Sequence, residues 1–390
     1  MIVLKYHRVY ILFLLLIFFC GVNFIVAQDT VRSYYPNGRI KEVYAVNIVG
    51  KDTIKSGHYT FFYQNGIPYQ TGNFKNNFLD SVWDINYPNG LIKSKYTYFM
   101  GVLNGPFSHY YDNKQIYQSG TYSSGQLTDS LLVYNSDGSL NKVEEYKNNM
   151  VFGYCRYYYI NGNLREISYR ENDIIKGFCE YYHENGVLNY KGERYDQCWN
   201  DKLEVYNKDG NLQRVGFYHD CKLRGDLVVF HPNGKDTLSI VNYVNGKENG
   251  TMVTYFENGN VRELVEYKDG TRQGTAEVFY DNGNRYVVGQ YNNGEYDGNW
   301  TIYHPNGIVK QSGDYKNGKA RGNWFFYYQS GGASMSGNYI NDSRQGFWTE
   351  FSEQGEVINR ALFINDEIIL QQSFLNQPTI EQDLFILETE

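Results

Sequence analysis

The chain has 390 residues, with 36 Lys and Arg against 43 Asp and Glu and a net charge of −7. Its 40 Tyr, 39 Gly and only 7 Pro, with 17% aromatics, exclude low-complexity disorder, which is poor in aromatic residues. The acidic balance argues against a general nucleic-acid binder, and the shortage of Ala, Leu and Val against a doubly wound enzyme. What remains is a polar, glycine-punctuated β protein, a composition that suggests internal repeats.

Lys5 and Arg8 precede an apolar run from Val9 to Cys20, and Ile25-Val26-Ala27 offers a small residue before Gln28. That layout predicts a secretory signal peptide over residues 1–27, too short in its apolar core for a full membrane span. The alternatives are an uncleaved anchor and lipid attachment at Cys20, where Phe19 departs from the small residue wanted before it. No later segment is apolar enough to cross a membrane. The expected location is the periplasm, the outer-membrane surface or the medium.

From Asn37-Gly38 onward, Asn-Gly or an equivalent pair returns about every 24 residues, through Asn65-Gly66, Asn89-Gly90 and Asp137-Gly138 to Gln354-Gly355. Asn113-Lys114 fills one gap, the first step is 28 and one step near Asn249 is 25. Fourteen units result, over residues 28–369. Asn-Gly between alternating aromatics predicts a hairpin with a two-residue type I′ turn. A second set of turn residues, such as Asn245-Gly246 and Asn317-Gly318, lies half a period away and is expected to be looser.

Positions within a unit are numbered from 0 at the glycine nine residues before the turn glycine, for example Gly298 or Gly322. Position 2 holds Trp83, Trp300, Trp324 and Trp348; position 15 is often Gly; position 17 is mostly Tyr; position 5 is aromatic in every unit but that of Asn86. A two-residue turn makes facing positions sum to 17, so Trp300 opposes Gly313 and Trp324 opposes Gly337, with each ring over the glycine it faces. Alternation then puts positions 2, 11, 15 and 17 on a buried face. The position 5 aromatics point the other way, opposite Arg165, Arg262 and Lys310. On one reading the sheet folds on itself and buries both sets, because one layer needs help to be stable. On the other, Tyr110, Tyr134, Tyr158, Tyr182, Tyr303 and Tyr327 form a binding ladder.

The pattern Gly-x-Trp-x-x-Tyr-x-x-Asn-Gly followed by Gly-x-Tyr-x-x-Gly, clearest from Gly298 to Gly318 and again from Gly322, resembles the MORN repeat. It is most similar to the bacterial MORN-variant group, often labelled as an antitoxin family. The resemblance covers roughly Asp29 to Ile369 and implies an all-β, elongated solenoid or single twisted sheet of stacked hairpins. It also implies a scaffold or protein-binding surface, although a signal peptide does not suit a cytoplasmic antitoxin. Units starting at Ser81, Asp129 and Asp201 lack the first glycine and are expected to pack more loosely. Tyr280 to Tyr286 is also similar to a unit of the YD/RHS shells, which are much longer and enclose a toxin domain with no counterpart in this sequence. Aromatic hairpin arrays also resemble choline- or glucan-binding repeats.

No motif carries chemistry. There is no P-loop, no G-x-G-x-x-G after a strand and no H-E-x-x-H. Gly332 to Gly337 only approaches a nucleophile elbow and lies within a repeat. His231 and His304 occupy position 6, where other units have Tyr, and read as substitutes for it. No catalytic residue, metal ligand or cofactor is expected. After residue 27 four cysteines remain. Cys155 and Cys179 share position 2, two strands apart and too far for a bridge, whereas Cys198 and Cys221 lie in consecutive inter-unit turns where a disulfide is permitted. Residues 370–390, acidic with interspersed apolar side chains, suggest either a cap on the last strand or a free tail. The expected function is a non-enzymatic scaffold for protein–protein interaction, with a cell-envelope carbohydrate-binding module as the alternative.

Overall fold

The computed structural model describes residues 29–374. The expected signal segment, and the acidic tail from residue 375 onward, lie outside those residues. Thirty-two strands form one antiparallel sheet in which successive strands pair, and there is no helix among the described residues. The described chain divides into two compact units, residues 29–115 with 122–125, and residues 116–121 with 126–374. Both are built from the same hairpin.

The hairpin Glu295–Tyr303 and Val309–Lys316 shows how the sequence makes it. Its turn differs from the expected one. Gly307 N–H donates to His304 O at 2.8 Å and His304 N–H to Ile308 O at 2.7 Å, and within Pro305-Asn306-Gly307 only Gly307 has positive φ, at 87°. This is a three-residue loop, a type I turn with Pro at its second place and Gly in the left-handed region. Asn is there for hydrogen bonding: Asn306 Oδ1 accepts from Ile308 N–H at 3.2 Å, and Nδ2 donates to Gln329 O of the next hairpin at 3.0 Å. The type I′ turn occurs half a period later, where the looser turn was expected. Asn317 (φ 49°) and Gly318 (φ 76°) join the paired residues Lys316 and Lys319.

The longer loop shifts the facing positions near the turn to a sum of 16, as in Tyr303 with Val309. A bulge at Lys310 then restores 17, as in Ile302 with Gln311 and Trp300 with Gly313. The expected register therefore holds for the body of the hairpin. The expected faces do not hold near the turn, because one inserted residue reverses the alternation. Position 11 joins position 5 on one face. Position 12, the bulge, lies with positions 4 and 6 on the other, as Arg165 over the Tyr157 ring and Tyr286 against Tyr280 show. Tyr158, Tyr255 and Tyr303 thus pair with Leu164, Val261 and Val309, not with Arg165, Arg262 and Lys310.

Positions 2, 15, 17 and 22 share the buried face. Two core clusters lie on it, one around Trp324, Trp348, Ala361 and Phe363 and one around Val265, Ala276 and Trp300. The indoles cover glycine, but in the preceding hairpin: Trp83 lies over Gly72, Trp300 over Gly289, Trp324 over Gly313 and Trp348 over Gly337. A Cβ at any of those four glycines would overlap the ring. Three indole N–H groups then reach the next carbonyl of that strand, Trp83 to Asn73 O, Trp300 to Gln290 O and Trp348 to Asn338 O, at 3.1–3.2 Å. In two units where position 15 carries a side chain the partner is small, Val265 pairing with Ala276 and Ser168 with Cys179, whereas Tyr96 stacks on the Phe107 ring. Four hairpins thus fill their core with a ring seated on the bare backbone of the neighbour, while Gly192 and Gly216 meet Leu203 and Leu227.

Position 0 glycines have positive φ because the following strand bulges there; Gly322 (φ 66°) lies within the irregularity opposite Gly313. Ser81, Asp129 and Asp201 adopt the same conformation without glycine, at φ 63°, 64° and 61°. These units therefore keep the repeat geometry, and what the missing glycine costs is backbone strain, not packing. The inter-unit turns stack as well. Gly318 N–H donates to Tyr296 O at 2.9 Å, and Asp342, in the equivalent turn, both donates to Ala320 O and accepts Ala320 N–H. Cys198 and Cys221 meet in this same row, joined by a disulfide with Cα atoms 4.6 Å apart. Cys155 and Cys179 are free and buried, and burial pushes their thiols up to about 11 and about 12.

Gly313→Ala is expected to cost about 2–3 kcal/mol by overpacking against Trp324. In a Trp324→Ala background, which mimics the Val265–Ala276 pair, the same change should cost at least about 1 kcal/mol less; a double-mutant cycle in urea tests this, and strict additivity would refute the ring-on-glycine account. Asp129→Gly and Asp201→Gly should each raise stability by about 1 kcal/mol by relieving the left-handed conformation, read as a higher denaturation midpoint.

Candidate functional site

The six tyrosines expected to form a ladder, Tyr110, Tyr134, Tyr158, Tyr182, Tyr303 and Tyr327, are all half-buried. The backbone carbonyls of Tyr110, Tyr182, Tyr303 and Tyr327 belong to a ladder of another kind. In several hairpins the position 6 side chain donates to the position 5 carbonyl of the next: Tyr87 OH to Tyr110 O (2.9 Å), Tyr159 OH to Tyr182 O (2.8 Å) and Tyr280 OH to Tyr303 O (2.9 Å). His304 Nε2 does the same to Tyr327 O at 3.1 Å, so its role is that of the tyrosine it replaces. His183 bonds Tyr206 O likewise, whereas His231, beside the 25-residue step, is buried with Nε2 unpaired. The position 5 rings do not converge on one place. Tyr158 and Tyr182 are in neighbouring hairpins, Tyr303 and Tyr327 lie several hairpins further along the same compact unit, and Tyr110 belongs to the other unit.

What the structure does bring together lies between Met150 and Tyr195, on the face that carries position 5. Met150, Phe152 and Tyr154 alternate along one strand, Ile174 and Phe178 along the second strand after it, and Tyr195 follows on the next. All six are exposed, from 40% at Phe152 to 49% at Phe178. Tyr169, on the strand between, faces Tyr154 and packs its ring edge-on at 5.3 Å. Taking roughly 200 Å² for each large side chain, the six expose about 550 Å², towards the upper end of what a monomer's surface normally shows. In the C-terminal hairpins the same face is mixed: Asn299, Thr301, Asp314, Lys316, Arg321 and Asn323 lie on it together with the exposed Phe325, Ile340, Phe347 and Ile364.

The opposite face changes in the reverse sense over the same stretch. Where other units have glycine at position 15, Glu144 is buried and accepts from Lys142 Nζ at 2.8 Å, Tyr157 OH at 2.7 Å and Tyr146 OH at 3.3 Å. Burial pushes its carboxyl up, but these donors outweigh it and hold the group below the usual range. Glu166 accepts from Ser168 Oγ at 2.7 Å and pairs with Arg170 at 3.1 Å. Thus, around Met150–Tyr195, charged groups are spent inside and apolar ones are left outside. Sequence reasoning missed this patch because it followed the repeat's most regular positions. The departure was legible in the odd positions of the Gly153 and Gly177 units.

Beside the patch, Tyr182 OH donates to Glu180 at 2.6 Å, and burial with that carboxylate pushes the phenol up to about 12. Glu204 is held by Lys202 at 2.6 Å, Tyr206 OH at 2.7 Å and Lys191 at 3.1 Å. Burial raises its pKa, but the three donors bring it down to about 2. A carboxyl depressed by folding stabilises fully above its unfolded pKa, near 4.3, and loses that contribution as pH falls towards the folded value. The midpoint difference between wild type and Glu204→Gln should therefore be greatest above about pH 5 and fade towards about pH 2, measured by urea unfolding across that range.

Residues 55–76, 103–124, 248–269, 272–293 and 296–317 match the MORN repeat variant family. No curated protein matches the chain. Among solved structures, it is similar to the TcdB2-TccC3 crystal structure, at 12% identity and a TM-score of 0.14 over 89% of this chain and 24% of that one. It is also similar to the Photorhabdus luminescens Tc holotoxin pore with the TccC3-D651A mutation, at 11% identity and a TM-score of 0.16 over 87% of this chain and 23% of that one. The chain spans about a quarter of the length of those structures. The five matched segments fall on the hairpin period that the strands display, and the chain is a MORN-repeat protein of the variant type.

Proposed function

We propose that this repeat scaffold is exported and non-catalytic, and that it binds protein through the apolar patch centred on Phe152, Tyr154 and Phe178. The observation that carries the reading is the reversal of face character around Met150–Tyr195. An apolar surface of this size stays in water at a cost unless something covers it. Export rests on the N-terminal residues: Lys5 and Arg8, the apolar run to Cys20, and Ala27. The absence of catalysis rests on the fate of the polar groups. His183 and His304 are engaged in the turn ladder, and Glu144, Glu166 and Glu204 are held by cations and hydroxyls of their own sheet.

A second reading, a carbohydrate-binding surface, is favoured by one feature. Tyr182 with Glu180, and Tyr206 with Glu204, place rings beside carboxylates on the same face, a pairing that suits stacking with hydroxyl recognition.

Phe152→Ser combined with Phe178→Ser should cut capture of envelope proteins by at least tenfold, while Tyr303→Ser with Tyr327→Ser leaves it unchanged. Quantitative pull-down, with folding checked by circular dichroism, reads the result. Equal capture by folded wild type and patch variant would overturn the protein-binding reading. Sedimentation with washed polysaccharide, reversed by free sugar and lost in Tyr182→Ser with Tyr206→Ser, would replace it with the second.

A further inference from the structure

We infer that the patch around Phe152 and Phe178 binds a second copy of this chain, face against face. The inference rests on the proposal that this patch is a protein-binding surface, and it names the partner.

Charge decides between a second copy and a foreign protein. The chain as a whole is at −7, so a partner drawn in by its overall field would be basic. The patch itself shows no such bias. Lys147, Arg156, Lys176 and Lys191 lie on the same face as Glu145, Glu171, Glu180 and Glu193, four cations to four carboxylates. They are interleaved: Lys176 Nζ pairs with Glu171 at 3.0 Å, and Lys147 Nζ lies 5.3 Å from the centre of the Phe152 ring. A two-fold interface sets each surface against itself, so it needs a rim in which both signs recur. A basic partner would find no excess of carboxylates here.

Shape and area agree. The exposed side chains stand in rows on strands, with Met150, Phe152 and Tyr154 on one and Ile174 and Phe178 two strands on, separated by about 9–10 Å. Sheets that pack face to face keep their strands within about 30° and interdigitate such rows across a gap of about 10 Å. Covering about 550 Å² on each copy buries about 1,100 Å² in total, just below the range of stable complexes and within that of transient ones. The pairing is thus expected to be reversible, with a dissociation constant in the micromolar range. The face behind needs no rearrangement, since Val151, Cys155, Ile175 and Cys179 are already buried.

The test is sedimentation velocity of the full chain from about 1 to 100 μM, together with cross-linking. Wild type should shift from the 45.5 kDa species towards twice that mass as concentration rises. Phe152→Ser with Phe178→Ser should weaken association at least tenfold, and so should Lys176→Glu, a change at an exposed side chain that keeps the inference testable if the double variant does not fold. Phe178→Cys should form a covalent dimer on mild oxidation, whereas Ser312→Cys, on the same face in the C-terminal hairpins, should not. A chain that stays monomeric at 100 μM while envelope-protein capture still depends on the patch would overturn the second copy and leave the protein-binding proposal standing. Monomer with patch-independent capture would overturn both. A dimer indifferent to all the patch variants would place association on another surface and refute the inference.

Discussion

A sheet of stacked hairpins has no second layer to supply a core, so every hairpin must bury its large side chains against its own neighbours. In this chain that requirement is met by placing rings over bare backbone. Trp83, Trp300, Trp324 and Trp348 each occupy the space left by a glycine eleven residues earlier in the preceding hairpin. An indole buried this way contributes on the order of 3–5 kcal/mol. That is large for a unit of about 24 residues, and it links each unit to the one before. Cooperativity between hairpins thus follows from side-chain size: a ring and its glycine are a single feature divided between two repeats.

The turns repeat the same logic with hydrogen bonds. Position 6 hydroxyls and imidazoles, and position 8 amides, reach carbonyls of the next hairpin along one edge. Turn N–H groups reach the preceding hairpin along the other. A side chain that closes its own turn and also bonds its neighbour meets the polar demands of a loop that has little other structure around it. The disulfide between Cys198 and Cys221 adds a covalent link in the second of these rows. Because both edges are tied, the side chains on either face are free to vary.

That freedom is what the stretch around Met150–Tyr195 uses. Glu144, Ser168, Cys155 and Cys179 replace the ring-and-glycine core there with small and charged groups, while apolar residues accumulate on the opposite face. A buried carboxylate is tolerated because Lys142, Tyr146 and Tyr157 converge on it. The change leaves the backbone repeat intact and alters only what the surface offers. A scaffold can specialise one part of its length in this way without disturbing the rest.

By itself, the amino-acid sequence determined the period, the all-β hairpin architecture, the family and the body register, because Asn-Gly spacing and aromatic alternation act over short distances. It also singled out Cys198 and Cys221 as the pair within reach, and His304 as a stand-in for tyrosine. The turn type was legible too, in the proline of His304-Pro305-Asn306-Gly307 and its counterparts, but Asn-Gly alone pointed to the wrong turn. Two deviations, a three-residue loop and the bulge at Lys310, cancel in the register and not in the faces, so the assignment of position 11 failed near the turn. Only the tertiary structure decided which glycine each indole covers and which aromatic residues stay exposed. Both depend on how one hairpin lies on the next, and strand alternation within a single hairpin carries no information about its neighbour.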